Sequence, residues 1–127
     1  MVVVDASAAF LALVHDGDAR LRLAHDELHA PYLIDSELAN AFRRAELNGR
    51  FSGEALRRAL DRWRLTGVRR HPAVRLLPRI WQLRRNATGY DATYIALAEC
   101  LNCPLLVSDR KLARMTGHRA ITELVTT

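Results

Sequence analysis

Four acidic residues stand at positions where a folded chain could bring them together. They are Asp5, Glu37, Asp91 and Asp109. The first follows the apolar run 2–4, and the last ends the segment that begins with the apolar run 105–107. Carboxylate oxygens are hard ligands suited to Mg²⁺ or Mn²⁺, and such ions activate water and neutralise phosphodiester oxygens during displacement. The four acids therefore predict a divalent-metal site and a nuclease.

The segments around these acids alternate between strand and helix patterns, without repeats or linkers. Short, wholly apolar runs predict strands covered on both faces, whereas longer runs with helical spacing predict helices. The predicted strands are 2–4, 32–34, 68–74, 105–107 and 120–125. The predicted helices are 6–14, 18–28 (ended by Pro31), 35–47, 52–63, 76–83, 88–101 and 110–115. This order favours an α/β fold, a three-layer α/β/α sandwich with a mainly parallel sheet, in one domain of residues 1–127.

A parallel sheet would bring the acids to one edge. Open parallel sheets place their sites at the carboxyl ends of the strands, and both Asp5 and Asp109 end strands. Glu37 falls at the edge of an apolar helical stripe, and Asp91 lies in the first turn of its helix. We therefore expect the four carboxylates to converge at that edge.

Each acid also has a purely structural interpretation. Asp5 and Asp109 could N-cap the helices that follow them, and Thr88 with Asp91 matches a capping box. Any one acid alone is better explained as a cap. The set of four favours a metal site, because like charges held close together repel unless a cation compensates them.

Positive charge is concentrated in residues 43–85, which hold thirteen arginines and three acids, whereas the formal net charge of the whole chain is +5. Such a stretch can attract a polyanion such as RNA. It can equally be a solvated helical face in which GC-rich codon usage favours Arg over Lys. The presence of a single lysine, Lys111, supports such a codon bias. Near the proposed metal site, Arg84, Arg85, Arg110 and Lys111 are the candidate RNA-binding residues.

The cysteines and histidines predict no second site. Cys100 and Cys103 follow a helix and are expected to be buried, unpaired thiols of a reducing compartment. His25 and His29 have the spacing of a helical metal pair but lack a third ligand, so we expect surface or capping roles for all five histidines. The acid at position 5 interrupts the only early apolar run and no stretch could cross a bilayer, which predicts a soluble cytoplasmic protein.

Five blocks, in order and at normal spacing, resemble a PIN domain of the VapC toxin type. They are VVDASA at 3–8, APYLIDSELANAFRR at 30–44, LPRIWQLR at 77–84, YDATYIALAE at 90–99 and PLLVSDRKLA at 104–113. The resemblance implies a metal-dependent endoribonuclease, the toxin of a type II toxin–antitoxin pair, with Mg²⁺ or Mn²⁺ as cofactor. It also implies a cognate VapB-type antitoxin and a homodimer, for which Leu33, Ile34, Phe42 and Leu47 could supply surface or could be core.

The family's acids map onto the same four positions. The resemblance implies that Asp5, Asp91 and Asp109 hold the metal, and that Glu37 binds a second metal or orients the attacking water. Ser7 is a hydroxyl that could support the site. Two departures from the family weaken a two-metal site: Val107 replaces a common Thr or Ser, and basic residues follow Asp109 where some relatives have an acid.

Two alternatives to an active nuclease stay open at this point. One is a catalytically silent RNA-binding or scaffold member of the same fold. The other is a receiver-type signalling domain, which would require paired acids after the first strand, whereas Ala6 and Ser7 follow Asp5.

Overall fold

The computed structural model describes residues 1–127, which form one five-stranded sheet with helices on both sides. The strands are β1 (Val2–Val4), β2 (Leu28–Pro31), β3 (Val68–His71), β4 (Leu105–Val107) and β5 (Thr122–Leu124). They lie in the order β3-β2-β1-β4-β5, and every neighbouring pair is parallel. The predicted α/β/α architecture with a parallel sheet is therefore confirmed.

Seven helices connect the strands. They are α1 (Ala6–Val14), α2 (Asp18–His25), α3 (Leu33–Leu47), α4 (Gly53–Leu65), α5 (Leu77–Gln82), α6 (Gly89–Leu101) and α7 (Arg110–Ala113). A 3-10 turn, Val74–Leu76, precedes α5. Because parallel crossovers are right-handed, the connections that run from β1 outward to β3 put α1 to α4 on one face. The return to β4 and the step to β5 run the other way and put α5 to α7 on the opposite face.

The core lies on both sides of the central strands. All residues of β1 and β4 are buried, as the wholly apolar runs predict, and α6 buries seven consecutive residues, 92–98, against the sheet. Ile34 and Phe42 belong to this core, which excludes them from a dimer surface, whereas Leu47 is exposed. No helix has the length and apolar character required to cross a membrane.

The second strand is not where the sequence predicts it. The strand is Leu28–Pro31, and residues 32–34 instead open α3, while α2 already ends at His25. Leu28 and His29 pair with β1 on one side, and the whole strand pairs with β3 on the other. Pairing on both sides overrides a local pattern that favours a helix.

The remaining elements follow the prediction with small shifts. The edge strand β3 ends at His71, before Pro72, and α7 stops at Ala113 rather than at residue 115. Both cysteines are free, as expected, but neither is fully buried: Cys100 is exposed and Cys103 is partly buried. His29 is buried in β2, so it shares no helix with His25, and its Nδ1 lies 2.8 Å from Nε2 of His71. Surface or capping roles for all five histidines are therefore wrong for His29.

A buried ion pair fixes α5 against α6. The Glu99 carboxylate accepts hydrogen bonds from Nε and Nη2 of Arg79 at 2.7 and 3.0 Å, and from the backbone N–H of Arg119 at 2.7 Å. Only 4% of the Glu99 side chain is exposed. The hydrogen bonds from Arg79 lower the pKa of Glu99 below its ordinary value.

Glu99→Gln should lower the free energy of unfolding by about 2 kcal/mol at neutral pH, because it removes the charge from these hydrogen bonds. A lowered folded-state pKa gives stability that is present above the unfolded-state pKa and lost as the pH falls through the folded one. The difference between variant and wild type should therefore shrink in acid. Urea unfolding at several pH values measures it, with Glu54→Gln, on an exposed pair with Arg58, as the control. Equal losses in both variants would contradict the assignment.

Candidate active site

The site lies where the chain connections diverge from the middle of the sheet. The connection from β1 leads toward β2, whereas the one from β4 leads the other way toward β5, so a crevice opens between their carboxyl ends. Ligand sites of open parallel sheets form at such switch points. Asp5 follows β1 directly, and Ser108 and Asp109 follow β4. The Asp5 N–H donates to the Leu106 carbonyl at 3.1 Å, which holds the two strand ends together.

Ser7 connects the two sides of this crevice. Its hydroxyl lies 2.8 and 2.9 Å from the two Asp5 carboxylate oxygens, to which it donates. The same oxygen accepts the backbone N–H groups of Ser108 at 2.9 Å and Asp109 at 3.2 Å. One hydroxyl therefore fixes the Asp5 side chain relative to the backbone that carries Asp109.

Asp5 is a helix cap and a buried acid at once. Its Oδ1 accepts the Ala8 N–H at 2.8 Å, so it N-caps α1, yet only 5% of the residue is exposed. The pKa of Asp5 is raised to about 7, chiefly by burial and also by the nearby charges of Asp109 and Asp91, against the lowering effect of its hydrogen bonds. Three acids therefore influence one another electrostatically, as convergence predicts.

Glu37 reaches the crevice from α3 and is held by a residue that the sequence did not single out. The Tyr94 hydroxyl, on α6, donates to Glu37 Oε1 at 2.6 Å. This bond joins helices from opposite faces of the sheet. Burial raises the pKa of Glu37 and the charge of Asp91 adds to it, while Tyr94 and Arg44 lower it. A tyrosine inside the mostly apolar stretch 92–98 of α6 is the only sequence signal for this role.

The two remaining acids begin helices. Asp109 Oδ1 accepts the Lys111 N–H at 2.8 Å and caps α7, whereas Asp91 lies in the first turn of α6, whose cap is Thr88. Burial and the charge of Asp109 raise the pKa of Asp91, and Lys111 lowers it.

All four acids and Ser7 line one cavity of about 480 Å³. The acids form one end of it, with Tyr94 and Ser108 beside them. The other end is lined by basic, amide and aromatic side chains: Phe10, His15, Asn40, Arg44, Asn48 and Arg50. Along α3 the lining runs from Glu37, beside the other acids, to Arg44 and Asn48, about two to three helical turns further on, so the cavity has an acidic end and a basic end.

The four carboxylates line the same cavity but do not form a preformed metal site. No group of three His, Cys, Asp or Glu side chains stands at the spacing of a metal site. What the structure provides is a group of hard oxygen donors, from the buried Asp5 to the exposed Asp109, whose mutual repulsion favours a cation.

The basic residues predicted to contact RNA lie outside the cavity lining. Arg84 is stacked over the Trp81 ring, 4.4 Å from its centroid, and donates to the Trp81 carbonyl. Lys111 is near enough to Asp91 to lower its pKa. Arg85 and Arg110 are exposed. An RNA contact by these four residues stays a prediction.

Comparison with known proteins identifies relatives over most of the chain. The sequence model of the PIN domain matches residues 2–117. A VapC ribonuclease of Mycobacterium bovis is 50% identical over 113 residues, which cover 89% of either chain.

Two solved structures share the fold. One is Mycobacterium tuberculosis VapC20, a sarcin-ricin loop cleaving toxin, with a TM-score of 0.63 at 19% identity over 94% of this chain and 99% of that one. The other is VapBC2 from Rickettsia felis bound to a promoter DNA fragment, with a TM-score of 0.69 at 14% identity over 98% of both chains.

Tyr94→Phe should raise the pKa of Glu37 above its wild-type value, because the variant loses a hydrogen bond that stabilises the ionised carboxylate. Carboxyl-detected NMR titration of the metal-free protein measures this shift. Tyr32→Phe, which removes an exposed hydroxyl, is the matched control and should leave the titration unchanged. An unchanged Glu37 titration in Tyr94→Phe would show that the hydrogen bond has no electrostatic role.

Proposed function

The chain belongs to the PIN-domain family, in its VapC ribonuclease group, and we propose that it is the toxin of a type II toxin–antitoxin pair. In this role it is a divalent-metal-dependent endoribonuclease that hydrolyses RNA phosphodiester bonds. A cognate VapB-type antitoxin inhibits it. A cytoplasmic location remains a prediction from the sequence.

The observation that carries the proposal is the shared cavity of the four acids at the switch point of the sheet. Helix capping accounts for single acids there but does not require four to converge. The 50% identity to a VapC ribonuclease over most of the chain supports the same activity. Both point to hydrolysis of a phosphodiester.

The donor set fits a hard divalent cation. We propose that Asp5, Asp91 and Asp109 hold Mg²⁺ or Mn²⁺, ions that favour carboxylate oxygens. Each of the three begins a helix or lies in its first turn, so the backbone fixes where each carboxylate can reach. When bound there, the ion would supply activation of water and neutralisation of the phosphate.

The side chains around this site have separable tasks in the proposed reaction. Ser7 positions Asp5 through its hydroxyl, and Tyr94 positions Glu37. The raised pKa of Glu37 makes its carboxylate a better proton acceptor than an ordinary one, which suits a residue that orients and deprotonates the attacking water. Binding of a second metal is the other role open to Glu37.

A silent, RNA-binding member of the family is the second candidate, and retention of all four acids argues against it. A receiver-type domain is excluded by the sheet. Receiver domains have the strand order 2-1-3-4-5, whereas this sheet has the order β3-β2-β1-β4-β5.

We also propose that the chain forms a homodimer through an exposed apolar face. Val74, Leu77 and Trp81 recur at helical spacing along the 3-10 turn and α5, and they are exposed by 67%, 54% and 66%. Contiguous exposed apolar side chains of this kind mark interaction surfaces. Ile34 and Phe42, which the sequence offered as a possible dimer surface, are buried, so this exposed face takes their place in the proposal.

Purified protein should cut a mixed cellular RNA pool at discrete sites in Mg²⁺ or Mn²⁺ but not in EDTA. Asp91→Asn should lower the cleavage rate at least about 100-fold, because it removes a charged donor from the proposed site. Gel and sequencing analysis of the fragments gives the rate and the cut sites.

Asp18→Asn is the control for that experiment, since Asp18 is exposed at the start of α2, outside the cavity. It should cleave like wild type. If folded, antitoxin-free wild type and Asp91→Asn leave RNA equally intact in both metals, the catalytic proposal fails and the silent RNA-binding alternative takes its place.

Trp81→Asp should convert the dimer to a monomer in sedimentation or light-scattering measurements, because it places a charge in the proposed apolar interface. Leu65→Asp is the control, since Leu65 is 88% exposed at the end of α4. A wild type that is monomeric at micromolar concentration, or a variant that remains dimeric, would assign the exposed face to another role.

A further inference from the structure

The basic end of the active-site cavity is built from one stripe of α3 and the segment after it. Glu37, Asn40, Arg44 and Asn48 are spaced by three and four residues, so they lie on the same side of the helix. From the first to the last of these the helix rises about 16 Å. The stripe therefore begins among the acids and extends past the space of a single phosphate.

Two guanidinium groups at this end form no direct ion pair within the protein, although Arg44 is near enough to Glu37 to act on it through its charge. Most of the exposed arginines of α4 are paired with an acid, for example Arg57 with Asp61 and Arg58 with Glu54. Arg44 and Arg50 form neither an ion pair nor a side-chain hydrogen bond, although both line the cavity. Their donors are free to bind an anion.

Aromatic rings hold one of these groups in place. The Arg50 guanidinium lies 5.8 Å from the Phe10 ring centroid and 5.7 Å from that of Phe51. Cation–π contact with two rings positions the guanidinium without consuming its hydrogen-bond donors. His15, whose ring meets Phe51 edge-on, closes the same wall.

Unpaired amides complete the basic end. The side chains of Asn40 and Asn48 form no hydrogen bond within the chain, and both face the cavity. An amide presents a donor and an acceptor side by side and can therefore bind the edge of a nucleobase. Unpaired guanidinium groups can bind the phosphate of a nucleotide, and unpaired amides beside them can bind the edge of its base.

From these contacts we infer that the basic end of the cavity is a subsite for a nucleotide that neighbours the scissile phosphodiester in single-stranded RNA. Arg44 and Arg50 bind its phosphate, and Asn40 and Asn48 bind the edge of its base. The inference rests on the proposed ribonuclease function. It adds that part of the choice of cleavage site is made here, next to the acids, rather than by the arginines of α5 and its flanks.

Fluorescence anisotropy with a labelled pool of short random single-stranded RNA, in EDTA to prevent cleavage, measures the phosphate contacts. Arg44→Gln and Arg50→Gln should each weaken binding about fivefold or more. Each should also reduce the slope of log K against log salt by about 0.7, the value for one lost phosphate contact with a single strand.

Arg43→Gln is the matched control, because Arg43 is adjacent on α3, carries the same charge, and faces a different groove. It should change binding less than twofold and leave the slope unchanged. Equal effects of all three variants would mean that only the general charge of α3 matters and would overturn the subsite. So would intact RNA binding combined with weakened binding of a polyglutamate peptide, which would assign the basic end to a protein partner.

Cleavage of the same random pool in Mn²⁺, followed by sequencing of the ends, measures base recognition. Asn40→Ala and Asn48→Ala should alter the nucleotide preference at one position beside the cut, whereas Ser36→Ala, exposed on α3 outside the cavity, should not. An unchanged preference in both Asn variants refutes base recognition at this end. Absence of cleavage by wild type would instead refute the proposed function, so the two failures are distinguishable.

Discussion

Crowding of four carboxylates at one switch point is the constraint on which the rest of the structure depends. Asp5 is removed from water, and both its burial and the charges of Asp109 and Asp91 disfavour its ionised form. The fold offsets part of this cost with the Ala8 N–H group at the start of α1 and with the Ser7 hydroxyl. The remaining repulsion is what a divalent cation would relieve, so metal binding should also stabilise the fold.

Capping and metal binding are therefore compatible uses of the same side chains. Asp109 uses Oδ1 to cap α7, which leaves its second oxygen without a partner in the chain. Asp5 uses Oδ1 for the cap of α1 and is further fixed by Ser7. A cap holds a carboxylate in one orientation before any ion arrives, which reduces the conformational entropy lost on binding. Helix capping by these acids thus supplies the preorganisation that metal binding requires.

The sequence predicts the elements whose signal is local and misses those that depend on neighbours. β1 and β4 are short, wholly apolar runs, and the acids that follow them reach the same edge because parallel strands are neighbours. β2, with the sequence Leu-His-Ala-Pro, has no strand pattern and is specified by partners on both sides. Tyr94 could not be assigned to Glu37 for a related reason: their contact depends on how α3 and α6 meet across the sheet edge.

The number of arginines in the sequence likewise does not show which of them are placed to bind RNA. Many of the arginines of segment 43–85 are committed to intramolecular contacts, such as those of Arg70 with Asp35 and Arg79 with Glu99, and only Arg44 and Arg50 line the cavity. The acidic end repels a polyanion that the basic end attracts. A cation bound among the acids would reverse that repulsion, so metal and RNA should each strengthen the binding of the other. Because such coupling is reciprocal, RNA that extends over both ends should raise the affinity for metal by the same factor by which metal raises the affinity for RNA.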